Sequence, residues 1–333
     1  LYMARIKDIA EKSGVSGSAV SRILNNDPTL SASLETKRKV MKVAKKLGYK
    51  KIPKASKALF KLGILQWFSP KQEMEDSYYL DIRRGVEDFC LKNSVEIVRT
   101  FKTDVNYLEQ LESVDGLICI GKFSDIEIKE LIEITDNIVF LDMPVKNYLA
   151  SSITMDFKKA VYDVMEYFEE LGHKQVAFLG GMEYLDENTE FEDDRKRYYC
   201  EFCESRGYEY EKWLKTGMYS VDSGYEMMEE IIKSGDLPTG VFAASDQIAI
   251  GAIKALGDYK INVPERVSVM GFDDSDICRY STPELATVHA PAYEMGQYGV
   301  NILFANSNLS RNAPIRIKMA CKLVNRKSCG KVK

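Results

Sequence analysis

The chain has 333 residues, 45% of them hydrophobic, so it can fill more than one sizeable core. Its net charge of −4 conceals an asymmetry: residues 1–61 hold 15 Lys and Arg against 4 Asp and Glu, whereas the remainder holds 31 against 46. A basic end of this kind favours a polyanionic partner such as nucleic acid, with a solvated basic face as the alternative. No segment approaches the roughly 20 apolar residues of a membrane span and no apolar signal segment begins the chain, so we expect a cytoplasmic protein.

The seven cysteines are scattered along the chain, which is typical of a reduced protein without a disulfide framework. Cys200 and Cys203 form a single Cys-x-x-Cys pair. Only two histidines, His173 and His289, are available to complete a metal site. We therefore expect neither a metal nor a cofactor.

Residues 6–25 predict two short helices joined by a tight turn. Gly14 tolerates the positive φ that a sharp corner needs, and Ser16 is a natural N-cap for the second helix. A third helix follows, with Ser33 as a possible cap and an amphipathic stripe formed by Val40, Val43, Ala44 and Leu47. Three short helices around one apolar seam predict a helix-turn-helix head over 1–50, whose second helix docks in the major groove of DNA.

Residues 51–61 form a connector between this head and the rest of the chain. Pro53 can start a helix but cannot continue one. A helix as short as the one that follows Pro53 is unstable in water unless it packs on a partner. We therefore predict a hinge that becomes helical only against such a partner.

Over residues 62–330, apolar runs of β type alternate with amphipathic helices. This alternation, with nearly continuous apolar strands, predicts parallel sheets covered by helices on both faces. The strands are too many for one compact sheet, so we predict an α/β core of two doubly wound subdomains. The predicted strands are 62–68, 95–101, 116–121, 137–143, 175–181, 240–245 and 266–272, and the predicted helices include 157–171, 192–207, 222–235 and 246–259.

We expect these subdomains to form two lobes, the first over about 62–156 plus 292–326 and the second over 157–291. The chain is expected to cross between them near 143–157 and 285–296. The strand "IRIKMACKLVNR" should then rejoin the first lobe, and the polar residues 327–333 should fray.

Ligands of open parallel sheets bind beyond the carboxyl ends of the strands. Polar residues directly after the apolar runs are therefore candidates, as are an Arg and a Tyr at the starts of helices. Carboxylates accept hydroxyl hydrogen bonds, Arg donates two in parallel, and an aromatic ring stacks on the CH face of a sugar, so this set suits a polyhydroxylated ring. The candidates are Asp142, Ser245, Asp246, Asp273, Asp274, Arg195 and Tyr219.

Each candidate has an alternative that the residues alone leave open. Asp246 and Asp274 can cap a helix or a turn, Tyr219 can be core packing, and Asp273 is as compatible with a turn as with a ligand. Paired carboxylates also occur in glycosidases. No companion motif of an enzyme is present, whether G-x-S-x-G, P-loop or H-E-x-x-H, so we do not expect an enzyme.

From about residue 4 to residue 330 the chain resembles the lactose–galactose repressor family of bacterial transcription regulators. The head "IKDIAEKSGVSGSAVSRILN" is the most specific match, and "ASDQIAIGAIKAL", "RVSVMGFDD", "STPELATV" and "KLVNRKS" extend it. The stretch "LNNDPTLSASLETKRKVMKVAKKLGYK" is similar to the branch that contains repressors of the evolved β-galactosidase operon and of galactose operons. The resemblance implies a core of periplasmic-binding-protein type.

The resemblance also implies a sequence-specific repressor that binds palindromic double-stranded operator DNA as a homodimer. The absence of leucine heptads after "KLVNRKS" favours dimers over tetramers. Leu59 of the hinge would wedge into the minor groove, with simple helix packing as its alternative, and Arg22 could contact only a phosphate. By position, the base-facing residues would be Gly17, Ser18 and Arg22, and the residues near the DNA backbone would be Ser16, Ser21 and Asn25.

The implied effector is a small sugar between the lobes, galactose or a galactoside, that controls operator affinity. A regulator responding to a non-sugar corepressor or to a phosphoprotein is the alternative within this class. A sugar-binding transport protein is the alternative outside it. The effector-binding residues that the resemblance implies are Tyr79, Phe157, Arg195, Tyr219, Ser245 and Asp273, with Tyr78 as the alternative to Tyr79 and with Gln66 to Phe68 as further first-lobe contacts.

Overall fold

The computed structural model describes residues 6–24, 33–47, 60–75, 77–145, 149–185, 189–307 and 314–332. The chain divides into two compact units, Leu1–Ala58 and Leu59–Lys333, which we call the head and the core. Asn25, Leu59 and nearly all of the predicted hinge lie outside the described residues.

Three helices form the described part of the head: α1 (Ile6–Ser13), α2 (Gly17–Leu24) and α3 (Leu34–Lys46). Gly14 turns the chain after α1 with a φ of 67°. The Ser16 hydroxyl oxygen accepts a hydrogen bond from the amide of Ala19 at 3.3 Å, and that of Ser33 accepts one from the amide of Thr36 at 3.1 Å. The predicted turn and both predicted caps are therefore confirmed. The helices enclose a small apolar cluster of Ile9, Val20, Ile23, Val40 and Ala44.

The first part of the core alternates strands and helices, and its central strands are almost completely buried. Its elements are β1 (Lys61–Gln66), α4 (Pro70–Glu75), α5 (Tyr78–Asn93), β2 (Glu96–Phe101), α6 (Tyr107–Leu111), β3 (Gly116–Ile120), α7 (Asp125–Ile134), β4 (Ile138–Leu141) and β5 (Ser151–Met155).

The middle part repeats the alternation and adds a short hairpin. Its elements are α8 (Phe157–Glu170), β6 (Val176–Gly181), β7 (Glu183–Tyr184), β8 (Glu190–Phe191), α9 (Asp194–Arg206), β9 (Leu214–Gly217), α10 (Val221–Ser234), β10 (Gly240–Ala243), α11 (Asp246–Asp258) and β11 (Ser268–Met270). Two short 3-10 helices, Glu211–Trp213 and Asp276–Arg279, interrupt the loops. The last part contains β12 (Thr287–His289), α12 (Ala292–Ser307), β13 (Arg316–Met319) and β14 (Lys322–Val324).

Ten of the described strands form two separate parallel sheets, and the pairs β7–β8 and β12–β14 are antiparallel. The first has the order β13-β5-β4-β3-β1-β2 and the second the order β11-β10-β6-β9. Helices α5 and α12 pack on one face of the first sheet and α6 and α7 on the other. Helices α8 and α9 cover one face of the second sheet, and α10 and α11 the other. The predicted α/β core with two doubly wound parallel sheets is confirmed, and we call the two halves the first and the second lobe.

Helices α5 and α12 approach each other closely through glycines. A Cβ atom added to Gly85 would lie 1.9 Å from the carbonyl oxygen of Tyr293, and one added to Gly296 would lie 2.1 Å from that of Ile82. Only glycine permits this backbone-to-backbone contact. The contact fixes α5, whose first residues reach the cavity described below.

The chain passes between the lobes three times, at Asp156, at Ala290–Pro291 and at Ala320–Cys321. The passages lie side by side, because β13 pairs with β5 and β14 pairs antiparallel with β12. The expected boundary of the first lobe, which included residues up to 326, is wrong because the chain leaves that lobe at the third passage. Only the first strand of "IRIKMACKLVNR" joins the first sheet, since the second strand returns to pair with β12 of the second lobe.

The carboxyl-terminal residues are anchored on the second lobe, so the expected fraying is wrong for residues 327–332. Ser328 is fully buried. Its hydroxyl donates to the carbonyl of Val269 at 2.6 Å and accepts from the amide of Ala286 at 2.8 Å. The amide of Val332 donates to the carbonyl of Leu171 at 2.9 Å. Polar composition misled the prediction, because these polar groups satisfy backbone groups at the edge of the lobe.

Candidate functional site

Helix α2 presents the predicted DNA-binding residues on one side of the head. Val20 and Ile23 are buried beneath the helix, which leaves its opposite side for contact with DNA. A Cβ atom added to Gly17 would meet no atom within 4 Å, so the surface there is open. Exposed on this side are Ser16, Gly17, Ser18 and Arg22, with Ser21 half-buried beside them.

The core contains a cavity of about 310 Å³ at the carboxyl ends of strands from both lobes. This volume is within the range of small-molecule sites. Five of the six predicted effector residues line it: Tyr79, Phe157, Arg195, Tyr219 and Asp273.

Ser245 does not line the cavity, and this corrects its predicted role. Its side chain is buried, and its hydroxyl oxygen caps α11 by accepting the amide of Ile248 at 3.3 Å. The strand-end position predicted a ligand contact. The hydroxyl instead serves the helix that begins at the next residue.

The guanidinium of Arg195 is held by three groups of the second lobe. Its Nε donates to Asp193 at 2.9 Å, Nη1 donates to the carbonyl of Ala244 at 2.7 Å, and Nη2 donates to the hydroxyl of Tyr219 at 2.5 Å. The Tyr219 hydroxyl in turn donates to the other carboxylate oxygen of Asp193 at 3.0 Å. This network fixes both the Arg and the Tyr ring in the cavity wall.

Aromatic rings surround the same guanidinium. The guanidinium carbon Cζ of Arg195 lies 5.3 Å from the ring centroid of Phe157, 5.4 Å from that of Tyr219 and 5.3 Å from that of Phe272. Contacts at this distance hold a cation against aromatic faces. The second lobe therefore offers an apolar, aromatic wall beside a planar donor, the combination predicted for a sugar.

Asp142 organises the wall from the first lobe. It follows β4 in a left-handed conformation, with a φ of 64°. Its carboxylate accepts hydrogen bonds from the hydroxyls of Tyr78 at 3.1 Å and Tyr79 at 3.0 Å and from the ammonium of Lys122 at 2.6 Å. Burial, followed by nearby negative charge, raises the pKa of both tyrosines well above the ordinary value. The two hydroxyls therefore stay protonated and act as donors.

The hairpin β7–β8 of the second lobe contacts the first lobe. The single proton of the Tyr79 hydroxyl is shared between Asp142 and Glu183, each with an oxygen 3.0 Å away, and the Glu183 carboxylate lies 3.8 Å from the Lys122 ammonium. The same ammonium lies 4.9 Å from the ring centroid of Phe191. Burial lowers the pKa of Lys122, but Asp142 and Glu183 raise it and prevail, so the ammonium keeps its charge.

Sequence reasoning offered Tyr78 as the alternative to Tyr79, and both line the cavity. Among the lining residues that it missed, Lys122, Glu183 and Asp193 hold the charges of the site. Lys122 follows the apolar run 116–121, so the strand-end rule that selected Asp142 could have found it. Asp193 could have been found as an N-cap, since it accepts the amide of Arg195 at 2.8 Å. Glu183 is the second residue after β6 but lies on a hairpin, for which the sequence gives no signal.

Asp246 and Asp274 both have structural roles, but not the predicted capping ones, since Ser245 rather than Asp246 caps α11 and Asp274 forms an ion pair. Asp246 is buried, and its carboxylate accepts hydrogen bonds from the amide and hydroxyl of Ser275 and from the hydroxyl of Thr287. Burial raises the pKa of Asp246 to about 6. Asp274 pairs with Arg326 at 2.6 Å. Neither carboxylate lines the cavity.

Two further findings concern the described part of the chain alone. It contains no group of three or more His, Cys, Asp and Glu side chains placed to hold a metal ion. None of the helices formed by these residues has both the length and the apolar character needed to traverse a bilayer.

Comparison with known proteins links both units to one class of regulator. The model for bacterial regulatory proteins of the lacI family matches residues 5–51, and that for periplasmic binding protein-like domains matches residues 165–329. The HTH-type transcriptional regulator GalR of Streptococcus thermophilus is 35% identical over 331 residues, covering 98% of this chain and 99% of that protein. The HTH-type transcriptional repressor MelR of Bacillus subtilis is 33% identical over 341 residues, covering 98% of each.

Solved structures share the fold over nearly the whole length. A complex of the transcriptional regulator CelR with cellobiose has a TM-score of 0.71 at 23% identity, with 98% of this chain and 99% of that chain covered. The Lac repressor dimer bound to operator and the anti-inducer ONPF has a TM-score of 0.67 at 20% identity, with the same coverage. The chain therefore belongs to the lacI family of bacterial regulatory proteins, and it is a DNA-binding transcriptional regulator and not an enzyme.

Proposed function

We propose that this regulator is a homodimeric repressor whose affinity for a palindromic operator is controlled by galactose or a galactoside bound between the lobes of the core. Two heads would present two α2 helices to successive major grooves, so the symmetry of the operator would follow that of the dimer. Because bacterial operators lie in the cytoplasm, we place the protein there.

The cavity is the observation that supports a sugar effector. Its aromatic side, Phe157, Tyr219 and Phe272, suits the CH face of a pyranose ring. Its polar side, which includes Tyr79, Asp142 and Asp273, supplies donors and acceptors for hydroxyl groups. The chain's similarity to GalR over nearly the whole length makes galactose and galactosides the first compounds to test.

On the head, we propose that Gly17, Ser18 and Arg22 face the bases and that Ser16 and Ser21 lie near the DNA backbone. The open surface of α2 supports this assignment. A backbone contact by Asn25 and a minor-groove wedge by Leu59 remain proposals that rest on the family resemblance.

The lobes couple effector binding in the cavity to operator binding by the head if the effector favours one arrangement of the lobes. Thermodynamically, the sugar must bind the operator-competent and the operator-released states with unequal affinity. A ligand that contacts both lobes satisfies this requirement, because the distance between the contact groups of the two lobes changes with the arrangement of the lobes.

The test is operator binding by the full chain, measured by fluorescence anisotropy at increasing galactose or galactoside concentration. We expect operator affinity to fall as the sugar is added. Asp273→Asn should bind operator normally but require a higher sugar concentration. Asp276→Asn, the same change at an exposed residue outside the cavity, should behave like the wild type.

Three outcomes would contradict parts of this proposal. A rise in operator affinity would make the sugar a corepressor. An unaltered response of Asp273→Asn would show that the sugar site is elsewhere. No response to galactose or any galactoside would exclude this effector class.

A further inference from the structure

Three of the four cations that line the effector cavity are paired with carboxylates. Arg195 lies 2.9 Å from Asp193. Arg197 pairs with Asp194, and also with Glu201 at 3.2 Å. Lys122 lies 2.6 Å from Asp142 and 3.8 Å from Glu183. The remaining cation of the lining, Lys318, is exposed to solvent.

Lys122 is the most buried of these cations, with 5% of its side chain exposed, and its ammonium lies near two carboxylates. The first, Asp142, belongs to the same lobe and makes the short contact. The second, Glu183, comes from hairpin β7–β8 of the other lobe. One carboxylate is enough to balance one ammonium, so the ionised form of Glu183 adds a negative charge beyond that balance. Burial raises the pKa of the Glu183 carboxyl, and Lys122 opposes this rise.

The lining as a whole is therefore acidic. Its carboxylates outnumber its cations by six to four. The best-shielded charges are Asp142, Glu183, Asp193, Lys122 and Arg195, and among these, too, carboxylates outnumber cations. Shielded charges interact strongly. An anionic ligand would be buried beside several like charges and would find each buried cation occupied. A neutral ligand would meet the same groups as hydrogen-bond partners. The carboxylates are Asp142, Glu183, Glu192, Asp193, Asp194 and Asp273, and the cations are Lys122, Arg195, Arg197 and Lys318.

We infer that the cavity selects neutral sugars and rejects their phosphorylated and carboxylated counterparts, and that Glu183 is the residue that determines this selectivity. The inference rests on the proposed function, in that it takes the ligand to be a sugar. Glu183 hydrogen-bonds to Tyr79 and faces Lys122. It therefore stands where an anionic group would otherwise pair with that ammonium.

The variant Glu183→Gln tests the inference with little change of shape. Gln keeps the side-chain length and an oxygen that accepts the Tyr79 hydrogen bond, but it removes the charge. Isothermal titration of the full chain at pH 7.5 would compare galactose, galacturonate and galactose 6-phosphate. For the wild type we expect each anion to bind at least tenfold more weakly than galactose. For Glu183→Gln we expect this ratio to shrink several-fold.

The matched control is Glu190→Gln, on the partner strand of the same hairpin. Glu190 is exposed and does not line this cavity. The control should keep the wild-type ratio between galactose and its anionic counterparts. Should Glu183→Gln fail to fold, the wild-type ratios alone still decide whether the cavity rejects anions.

The inference is overturned if either anion binds the wild type as tightly as galactose. It is also overturned, as regards Glu183, if Glu183→Gln keeps the wild-type ratio. If galactose does not bind, the same comparison is made with glucose, cellobiose and their phosphorylated and carboxylated forms. Selective binding of another neutral sugar would support charge selection while refuting galactose as the effector. Failure of every neutral sugar to bind would refute both.

Discussion

The head and the core use charged side chains in opposite ways. In the head, Arg22 and Lys42 are exposed. In the core, Lys122 and Arg195 are buried, and each lies against at least one carboxylate. A charge at the surface acts on an external polyanion such as DNA, whereas a buried charge compensates another group of the same protein. Loss of the first should therefore weaken binding, and loss of the second should weaken folding.

The largest effect should come from removing a buried cation. Lys122→Met leaves Asp142 and Glu183 without their ammonium, and breaking a buried pair in this way costs about 3–5 kcal/mol. The same substitution at Lys42 of the head should stay within about 0.5 kcal/mol, because that side chain is exposed. Urea unfolding followed by circular dichroism measures both. Equal losses of unfolding free energy in the two variants would contradict the proposed difference between the buried cations of the core and the exposed cations of the head.

A buried acid of the core should make stability depend on pH. The pKa of Asp246 is raised to about 6, so its stabilising contribution is complete below about pH 4 and is lost as pH rises through 6. Asp246→Asn does not titrate. The unfolding free energy of the wild type relative to this variant should therefore fall by about 3 kcal/mol between pH 4 and pH 7.

Tryptophan fluorescence is the suitable probe for this prediction, because both tryptophans, Trp67 and Trp213, lie in the core. Asp222→Asn, the same change at an exposed position of the second lobe, is the control. If Asp246→Asn and Asp222→Asn show the same pH profile, the buried carboxylate does not carry this dependence.

On the head, Arg22→Ala should alter DNA recognition and leave folding intact. If Arg22 pairs with a guanine, its loss should cost about 1–3 kcal/mol of preference for operator over scrambled DNA. The measurement is the ratio of the two dissociation constants at one salt concentration, since affinity depends steeply on salt. Lys39→Ala, at an exposed residue of α3, should keep the ratio. An unchanged ratio for Arg22→Ala would limit Arg22 to a phosphate contact.

The smallest expected effect is a difference in stability between two glycine variants of the head. It distinguishes a requirement for a positive φ from a requirement for free space around the Cα atom. An added Cβ meets nothing within 4 Å at either Gly14 or Gly17, but only Gly14 has a positive φ, 67°. Gly14→Ala should destabilise the head by about 1 kcal/mol, whereas Gly17→Ala should change its stability by less than about 0.5 kcal/mol. Urea unfolding followed by circular dichroism compares them. A large loss at Gly17 would mean that the surface of α2 is not open.

Much of the fold could be predicted from the sequence because its signals are local. Amphipathic periodicity placed a helix at 246–259, where α11 spans Asp246–Asp258. It also placed one at 192–207, where α9 spans Asp194–Arg206. Strand β5, Ser151–Met155, was missed, because "SSITM" has little apolar character and becomes a strand only by pairing with β4 and β13.

The residues of the cavity also fall into those with a local sequence signal and those that are placed by long-range contacts. Asp142 and Asp273 follow apolar runs, so general rules about parallel sheets selected them, and the family resemblance added Tyr79 and Phe157. Glu183 could not be selected, since its contacts with Tyr79 and Lys122 join residues that are far apart in the sequence and belong to different lobes. Such contacts depend on how the two sheets are placed, which no local pattern records.

The three passages between the lobes restrict how the core can move. Strands β5 and β13, which lead into two of them, lie at one edge of the first sheet, and β2 lies at the other. A rotation of the lobes about an axis through the passages therefore produces its greatest displacement beside β2. There the ammonium of Lys102 donates to the carbonyl of Leu185 in the other lobe at 2.7 Å. This contact lies on the side of the sheet away from the passages, so we expect it to separate when the angle between the lobes increases.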